Sequence, residues 1–499
     1  MRWVLLAPTN TTGAGKCATT GAGRCATWLK IVGMTAHASA DTGSRFLAPH
    51  ASRPITASVH LPGSKSITNR ALVLAALADG TSTITGGLAA RDTQLMMDAL
   101  RTLGATIDEE PATHAGEPPV WRVTGGPLRG GSVECGLAGT VMRFVPPIAA
   151  LTGDVVHFDG DESARLRPMQ TMCDALRDLG AHVTGNALPF TVDTSAGIPA
   201  GGRLTVDASA SSQFVSGLLL AAPRFPAGLT ITHVGANLPS QPHIDMTVSM
   251  LAEAGCEVAV DGTTWRVEPQ PIHPHDWIVE PDLSNAGPFL AAAMVTGGTV
   301  TINQWPVHTT QPGAAFIELF TRMGGTAVFL PAEDPTSPVP IAAQAELATA
   351  LQSTHPHCGH GSLALSGPAK LSDLTGITVD LSDLGELTPT LAAVCTLAST
   401  PSTLSGIGHL RGHETDRLQA LSNEIVRLGG SCTTTADSLT ITPQPLHAAA
   451  LHTYADHRMA TFAAIIGLVV EGVEIYNIAT TAKTIADFPA IWQAMISGK

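Results

Sequence analysis

The stretch LPGSKSITNR, residues Leu61–Arg70, lies between an alternating segment and an apolar run. Its Pro-Gly pair ends a predicted strand, and the apolar run predicts a helix with Ser66 or Thr68 as N-cap. Free N–H groups at such a helix start, with Lys65 and Arg70 beside them, suit an anionic ligand. A capped helix with two solvated charges explains this turn equally well, so the rest of the chain has to distinguish the two interpretations.

The composition predicts large buried cores and excludes several classes of partner. The chain has 499 residues, 44% hydrophobic and 14% charged, which fits two or three domains. Its net charge of −14 argues against nucleic acid and anionic membranes, so basic residues for an anionic ligand must be gathered locally. Eight scattered cysteines predict a reducing cytoplasm and no disulfide framework. No apolar run has the length of a membrane span.

Residues 1–53 differ in composition from all that follows. The segment TGAGKCAT (12–19) recurs at once as TGAGRCAT (20–27), in a Gly-, Ala- and Thr-rich setting. The first copy lacks the G-x-x-x-x-G-K spacing of a phosphate loop. We predict that residues 1–53 form a disordered, low-complexity extension, and Met34 is an alternative start of the chain.

From Pro54 onward the chain repeats one supersecondary unit. Apolar helical runs end at Gly before alternating strands, as in Gly80-TSTIT and Gly153-DVVHF, with breakpoints about 70–75 residues apart. Amphipathic helices that end in Leu-Gly-Ala or a variant interleave with them at a similar spacing. In each series one interval is roughly 30 residues longer than the others, which indicates one insertion.

The insertion falls at about residues 331–362 and is rich in Pro. It carries His355, His357, Cys358 and His360, which could form a metal site. No carboxylate or second cysteine stands at ligand spacing beside them, so we favour an inserted surface loop.

Six copies of the unit predict two domains of three copies each. We expect the first domain at 64–281 and the second at 54–63 plus 282–499. The sixth copy lacks a full closing strand, which the alternating segment Ile55–Leu61 could supply. The chain would then cross between the domains twice.

Seven motifs, in order and at consistent spacing, carry a family resemblance. The chain resembles the 5-enolpyruvylshikimate-3-phosphate synthases, of the actinobacterial type, from about Pro54 to Met495. The resemblance implies a two-domain inside-out α/β barrel, the enolpyruvyl transferase fold, with six βαβαββ repeats. The motifs are PGSKSITNRA (62–71), LAGTVMR (137–143), RLRPM (165–169), SSQF (211–214), GHETDRL (412–418), YADHRMA (454–460) and TAKT (481–484).

The resemblance also implies a reaction: carboxyvinyl transfer from phosphoenolpyruvate to the 5-hydroxyl of shikimate 3-phosphate, with loss of phosphate from a tetrahedral intermediate. Both substrates are polyanions, so a cleft that binds them should contain many cations. The residues implied for phosphoenolpyruvate are Lys65, Gly139, Arg167, Gln213, Arg417, Arg458 and Lys483. Those implied for shikimate 3-phosphate are Lys65, Ser66, Arg70, Ser211, Ser212, Gln213, Ser240, Glu386 and His413.

Two catalytic roles follow from the chemistry. A carboxylate should accept the proton of the 5-hydroxyl, and Glu386, where the family often has Asp, is the candidate. Glu414 and Lys65 are the candidates for protonating the methylene carbon, although Glu414 could also be a first-turn carboxylate that stabilises a helix. We expect no metal and no cofactor, and a cytoplasmic monomer.

Three positions depart from the family pattern. Leu137 replaces a common Asn, His413 a common Lys, and Phe144 a common Pro, which leaves glyphosate sensitivity undetermined. A charge on His413 would depend on pH.

Three other functions compete with this interpretation. A UDP-N-acetylglucosamine enolpyruvyl transferase would need a reactive Cys in a mobile loop, whereas Cys135 and Cys173 lie in or beside helical runs. A non-catalytic repeat scaffold would have no need of converging cations. An RNA 3′-phosphate cyclase should have a basic surface and a nucleophilic His motif, and neither is evident.

Overall fold

The structure, a computed structural model, describes residues 44–110, 120–235 and 237–498. It contains six β-sheets in two lobes, and each lobe has its own hydrophobic core. We call residues 64–281 the N-lobe, and residues 44–63 with 282–498 the C-lobe. Six sheets, three in each lobe, confirm the predicted six-unit enolpyruvyl transferase fold.

Two strands precede the N-lobe, β1 (Arg45–Leu47) and β2 (Thr56–Val59). The N-lobe sheets have the orders β14-β3-β5-β4, β6-β7-β9-β8 and β10-β11-β13-β12, each with one parallel pair. Their strands are β3 (Thr81–Thr85), β4 (Thr106–Glu110), β5 (Val120–Thr124), β6 (Gly131–Glu134), β7 (Val155–Asp159), β8 (His182–Thr184), β9 (Phe190–Asp193), β10 (Gly202–Val206), β11 (Leu229–His233), β12 (Ala259–Asp261), β13 (Thr264–Val267) and β14 (Asp276–Ile278). The helices are α1 (Lys65–Leu77), α2 (Arg91–Thr102), α3 (Gly139–Ala149), α4 (Gln170–Asp178), α5 (Gln213–Ala221) and α6 (Gln241–Glu253).

The C-lobe sheets have the orders β17-β16-β18-β15-β2, β19-β20-β22-β21 and β1-β24-β23. Their further strands are β15 (Thr299–Pro306), β16 (Thr326–Pro331), β17 (Val339–Ile341), β18 (His360–Ser366), β19 (Thr378–Asp380), β20 (Ser402–Ser405), β21 (Ser431–Thr434), β22 (Leu439–Thr442), β23 (Ala450–Leu451) and β24 (Glu474–Tyr476). The helices are α7 (Leu283–Thr296), α8 (Phe316–Arg322), α9 (Gln344–Leu351), α10 (Thr388–Leu397), α11 (Arg417–Arg427), α12 (His457–Gly467) and α13 (Phe488–Ser497).

Hydrophobicity explains the inside-out arrangement. The helices α1, α3 and α5 are buried on nearly all sides and pack on one another in the N-lobe, as α7, α10 and α12 do in the C-lobe. A helix that is apolar all round has to lie inside. The amphipathic helices α2, α4 and α11 keep one exposed face. The polar N-termini of the central helices thereby become the surface that faces the other lobe.

The two crossings between the lobes run side by side. Ser64 N–H donates to the Glu280 carbonyl at 2.7 Å, and Asp282 N–H donates to the Pro62 carbonyl at 2.9 Å. Gly63 stands between them, where a Cβ would lie 2.0 Å from the Gly86 carbonyl oxygen, so the close approach requires glycine. The N-cap of α1 is Ser64, not Ser66 or Thr68 as predicted.

The prediction for Ile55–Leu61 was right about a strand but wrong about the sheet that this strand joins. Strand β2 pairs with β15 and so joins the sheet of the fourth unit, not that of the sixth. The sixth unit is completed by β1, which pairs with β24. Ala48 is buried just after β1, so the predicted disordered extension is wrong for residues 44–53. Residues 1–43 lie outside the described part of the chain.

The insertion at about 331–362 lies at the surface as expected, but it is partly regular secondary structure and not a loop throughout. It forms β17 and α9, and buries Leu347 and Leu351. The Trp305 indole donates to Gln344 Oε1 at 2.8 Å, which ties α9 to β15. Cys358 donates its thiol to the His360 carbonyl. Within the described ranges, the histidines of this insertion do not form a three-residue metal cluster.

The six described cysteines, Cys135, Cys173, Cys256, Cys358, Cys395 and Cys432, are free thiols. Among the described helices, none combines the length and the apolar character needed to cross a bilayer.

Candidate active site

A cleft of about 130 Å³ lies where the N-termini of central helices from both lobes meet. It is lined by almost every residue predicted for the site, namely Lys65, Ser66, Arg70, Gly139, Arg167, Ser211, Gln213, Glu386, His413, Glu414, Arg417, Arg458 and Lys483. The sequence motifs therefore converge in space.

Two predicted ligands, Ser212 and Ser240, do not line the cleft. Ser212 is buried at the start of α5. Ser240 has a left-handed backbone, φ 58°, and its N–H donates to the Ser382 carbonyl of the other lobe at 3.0 Å. Ser240 therefore connects the two lobes through its main chain.

Arg70 is buried, and protein partners occupy most of its donors. Its Nε donates to Thr247 at 2.7 Å, Nη1 to the Ser66 carbonyl at 2.9 Å and Nη2 to the His243 carbonyl at 2.8 Å. Burial lowers the pKa of this guanidinium to about 9, partly offset by the charge of Glu386, so it remains charged at neutral pH. With Nη2 also 3.4 Å from the Ser216 hydroxyl, one of its five N–H groups remains for a ligand.

Gly139 allows two guanidinium groups to approach the start of α3. A Cβ there would lie 3.0 Å from Arg167 Nη2 and 3.1 Å from Arg143 Nη1. Burial, and next the neighbouring Arg167 charge, lower the pKa of Arg143 well below its usual value. Two crowded cations at a helix N-terminus are suited to an anion that carries more than one charge.

Arg417 is held by the most buried ion pair of the cleft. Its Nε lies 2.7 Å from Asp456 Oδ2, and its Nη2 lies 3.2 Å from Oδ1. The side chains are 3% and 0% exposed. Nη1 donates to His413 Nδ1 at 3.3 Å.

His413 is a neutral imidazole in this setting. Burial lowers its pKa well below the usual value, and the neighbouring charges of Arg417 and Arg167 lower it further. Because its Nδ1 accepts from Arg417, the ring proton stays on Nε2. The sequence left the charge on His413 dependent on pH, and this lowered pKa disfavours a positive charge there around neutral pH.

Glu386 lies at the end of the turn before α10. Ser284 Oγ donates to its Oε1, His243 Nε2 lies 3.3 Å from Oε2, and Arg458 Nη2 lies 3.5 Å from Oε2. Burial by itself would raise the pKa of Glu386, but His243, Arg458 and Ser284 bring it well below the usual value. The carboxylate is ionised at neutral pH, as a general base must be.

Glu414 forms a second acidic centre in the cleft. It accepts a hydrogen bond from Lys483 Nζ, and its Oε2 lies 3.2 Å from His457 Nδ1. Burial opposes ionisation, yet Lys483 and His457 hold the pKa of Glu414 well below its usual value. Asp92 stands nearby, 3.9 Å from Lys483 and 3.6 Å from Lys65, and so faces cations from both lobes.

The ligand atoms of Glu414, Asp456 and His457 lie within 4.8 Å of one another, a spacing that a metal ion could bridge. The carboxylates, however, are already neutralised: Asp456 by Arg417 and Glu414 by Lys483. A divalent cation prefers oxygen ligands with unpaired negative charge, so this cluster does not fit one.

Several cleft residues were not predicted from sequence. They are Ser64, Asp92, Thr140, Pro168, Ala210, His243, Met246, Asp282, Ser284, Gln311, Pro312, Gly412, His457 and Thr484. Arg143, one of the cations in the motifs, lines the cleft as well. Those within the quoted motifs, such as Thr140 and His457, could have been predicted, because the motifs already marked their positions. Asp92 and His243 had none, because each looks in sequence like an ordinary first-turn helix residue.

Known structures share this fold. An EPSP synthase from Acinetobacter baumannii is 22% identical with a TM-score of 0.70, over 90% of this chain and 98% of that one. Another structure of the enzyme from that organism is 21% identical, with a TM-score of 0.68 over 91% and 98%. The enolpyruvyl transferase NikO from Streptomyces tendae is 15% identical, with a TM-score of 0.67 over 91% and 98%.

The family is shown by sequence. The model of EPSP synthase, 3-phosphoshikimate 1-carboxyvinyltransferase, matches residues 49–493, which include every motif described above. The chain therefore belongs to the EPSP synthase family and transfers the carboxyvinyl group of phosphoenolpyruvate to shikimate 3-phosphate in the shikimate pathway.

Proposed function

We propose that the cleft performs this transfer with Glu386 as the base and with cations from both lobes around phosphoenolpyruvate. The observation that carries the proposal is convergence: Lys65 and Arg167 of the N-lobe line the same cavity as Arg417, Arg458 and Lys483 of the C-lobe. Five cations in one cleft of a chain with net charge −14 are suited to polyanionic substrates.

We assign shikimate 3-phosphate to the start of α1 and the wall beside it. Ser66, Ser211 and Gln213 line the cleft and supply neutral donors for a phosphate or hydroxyl. Arg70 contributes one N–H and otherwise supports the main chain of Ser66 and His243. His413 takes part as a neutral Nε2–H donor. Ser212 and Ser240 are left out of direct contact, because neither lines the cleft.

We assign phosphoenolpyruvate to the space between Gly139, Arg167 and the C-lobe cations. Arginine matches carboxylate and phosphate groups through paired N–H donors. Gln213 lines the same space from the start of α5, and its side-chain N–H groups can donate to the carboxylate or phosphate of phosphoenolpyruvate.

In the addition step, Glu386 takes the proton of the 5-hydroxyl, the 5-oxygen of shikimate 3-phosphate bonds to C2 of phosphoenolpyruvate, and an acidic side chain gives a proton to C3. In the elimination step, C3 returns a proton to that side chain, the double bond between C2 and C3 forms again, and the bond from C2 to the phosphate oxygen breaks, so that the proton held by Glu386 leaves on the phosphate. The departing phosphate leaves among Arg and Lys side chains that stabilise its charge.

The donor of the C3 proton is Lys65 or Glu414. Glu414 is ionised through its contact with Lys483, so it needs a proton before it can act as an acid. An anionic substrate that draws Lys483 away would raise the pKa of Glu414 and make it an acid. Lys65→Met and Glu414→Gln therefore separate the two: the true donor is the one whose loss slows exchange of the C3 hydrogens with solvent deuterium.

Phosphate release from phosphoenolpyruvate and shikimate 3-phosphate together tests the proposal. Release should need both substrates, UDP-N-acetylglucosamine should not replace shikimate 3-phosphate, and Glu386→Gln should lower kcat by about 10²- to 10⁴-fold. A Glu386→Gln variant with normal turnover would remove Glu386 from the role of base.

We also propose that the protein acts in the cytoplasm as a monomer, without a nucleic-acid partner. One chain supplies both walls of the cleft. Sedimentation equilibrium at micromolar concentration should return the mass of one chain.

A further inference from the structure

His243 projects from the first turn of α6 in the N-lobe toward a carboxylate of the C-lobe. Its Nε2 lies 3.3 Å from Glu386 Oε2, and the two side chains are only 15% and 19% exposed. The same turn meets the C-lobe through its main chain, since Ser240 N–H donates to the Ser382 carbonyl and Gln241 N–H to Asp383 Oδ1. The contact between His243 and Glu386 therefore exists only when the lobes are together.

The main chain of His243 is firmly anchored. Its carbonyl accepts from Arg70 Nη2 at 2.8 Å, Thr247 Oγ1 at 3.0 Å and Ser216 Oγ at 3.3 Å. These three donors come from α1, α6 and α5, so the backbone of the residue cannot shift without breaking contacts of the N-lobe core. The imidazole is thus aimed at Glu386 by the fold and not by a mobile loop.

Four charged groups surround this imidazole. Arg70 lies behind its carbonyl, Glu386 faces its Nε2, Arg458 contacts the same Glu386 oxygen at 3.5 Å, and Asp383 caps the turn. Ser284 holds the other oxygen of Glu386. Each carboxylate oxygen still has a lone pair for the substrate hydroxyl.

We propose that His243 is the positioning residue of the catalytic base: its Nε2–H holds Glu386 in the orientation that receives the 5-hydroxyl proton, and it does so only in the closed cleft. The inference rests on the proposed role of Glu386. His243 exchanges no proton in this scheme. The hydroxyl proton moves to Glu386 and leaves with the released phosphate.

Three variants test the role. His243→Phe keeps an aromatic ring but removes the donor, and we expect kcat to fall by roughly 10- to 100-fold, the loss expected for one hydrogen bond to a charged group. The KM for phosphoenolpyruvate should stay within about twofold, because His243 does not contact the cations proposed to bind it. His243→Gln retains an N–H donor and should recover part of kcat. Equal losses in the Phe and Gln variants, or no loss in either, would overturn the proposal.

The pH profile supplies a readout that a purely structural role would not change. His243 is one of the groups that keep the pKa of Glu386 low. The acid limb of kcat should therefore move to higher pH in His243→Phe. An unmoved limb contradicts the proposal. The matched control is His275→Phe, since His275 faces Glu253 at 3.9 Å in a more exposed pair outside the cleft, and it should leave the profile unchanged.

A double-mutant cycle separates this inference from the proposed function. If Glu386→Gln is already inactive, adding His243→Phe should cost almost nothing further, because the two residues act as one unit. Additive losses would mean that His243 acts elsewhere. An active Glu386→Gln variant would instead refute the proposed role of Glu386 as the base. Circular dichroism and thermal melts of each variant exclude loss of folding as the cause.

Discussion

Arg417 and Asp456 form a two-point ion pair, with N–O distances of 2.7 and 3.2 Å, at the base of the cleft. Asp456 is fully buried, and it also accepts a hydrogen bond at 2.9 Å from the N–H of Arg458 in the first turn of α12. One carboxylate thus fixes the positions of two arginines proposed to bind phosphoenolpyruvate.

Asp456→Asn should destabilise the protein and weaken binding together. It leaves the buried charge of Arg417 without its counter-ion, which costs about 3–5 kcal/mol of unfolding free energy. Urea unfolding measures that loss, and the KM for phosphoenolpyruvate should rise at the same time. Asp159→Asn is the control, because its pair with Arg165 is about half exposed and solvent screening leaves it little effect on stability. Equal effects of the two variants would contradict the importance assigned to the buried pair.

Stability should rise with pH between roughly pH 5 and 6.5. His409, His413 and His457 all have lowered pKa values, first because of burial. The unfolded chain, with histidine pKa values near 6.5, then binds more protons than the folded one in this range, which gives up to about 1.4 kcal/mol per pH unit for each histidine. Urea unfolding at several pH values measures the slope.

The comparison variants for this slope are His413→Gln and the exposed His157→Gln. The first should reduce the slope and the second should leave it as it is. A slope that His413→Gln does not change would mean that His413 is protonated in the folded protein.

Two truncations at the N-terminus should show that residues 44–53 stabilise the fold and that residues 1–33 do not. Deleting residues 1–53 removes β1 and the main-chain hydrogen bonds from Ala48 to Val473 and from Ala51 to Leu468, at 2.9 and 3.0 Å. Each such bond contributes about 0.5–1.5 kcal/mol, so the melting temperature should fall. Deleting residues 1–33 should leave activity and melting temperature unchanged, because that composition cannot support a core. Identical melting curves for the two truncations would contradict the role of β1.

Ligand binding should draw the lobes together. The N-lobe cations Lys65 and Arg167 face Arg417, Arg458 and Lys483 of the C-lobe, and without anions between them these charges repel. Shikimate 3-phosphate with a phosphoenolpyruvate mimic supplies the missing negative charge and should shift the population toward closed molecules. Small-angle scattering should then report a smaller radius of gyration. An unchanged radius at saturation would indicate a cleft that is already closed.

The sequence by itself determined the repeating architecture and most of the cleft. Hydrophobic periodicity with Gly breakpoints predicts six units, because apolar runs and alternating strands are local properties of the chain. Motifs such as PGSKSITNRA and YADHRMA carry the family, and the residues taken from them converge with few exceptions. Ser240 is one exception, because its left-handed backbone and its bond to Ser382 depend on the other lobe.

Only the tertiary structure decided which distant elements meet. The sequence of strand β2 is typical of a closing strand, and it was predicted to complete the sixth unit. An alternating pattern determines which side chains share a face but not which strand is the neighbour. The neighbour is β15, a strand of the fourth unit. The neutral state of His413 depends on burial beside Arg417, which no local pattern encodes. His243 and Glu386 are 143 positions apart on different lobes, and their contact arises solely from how two separately folded cores face each other.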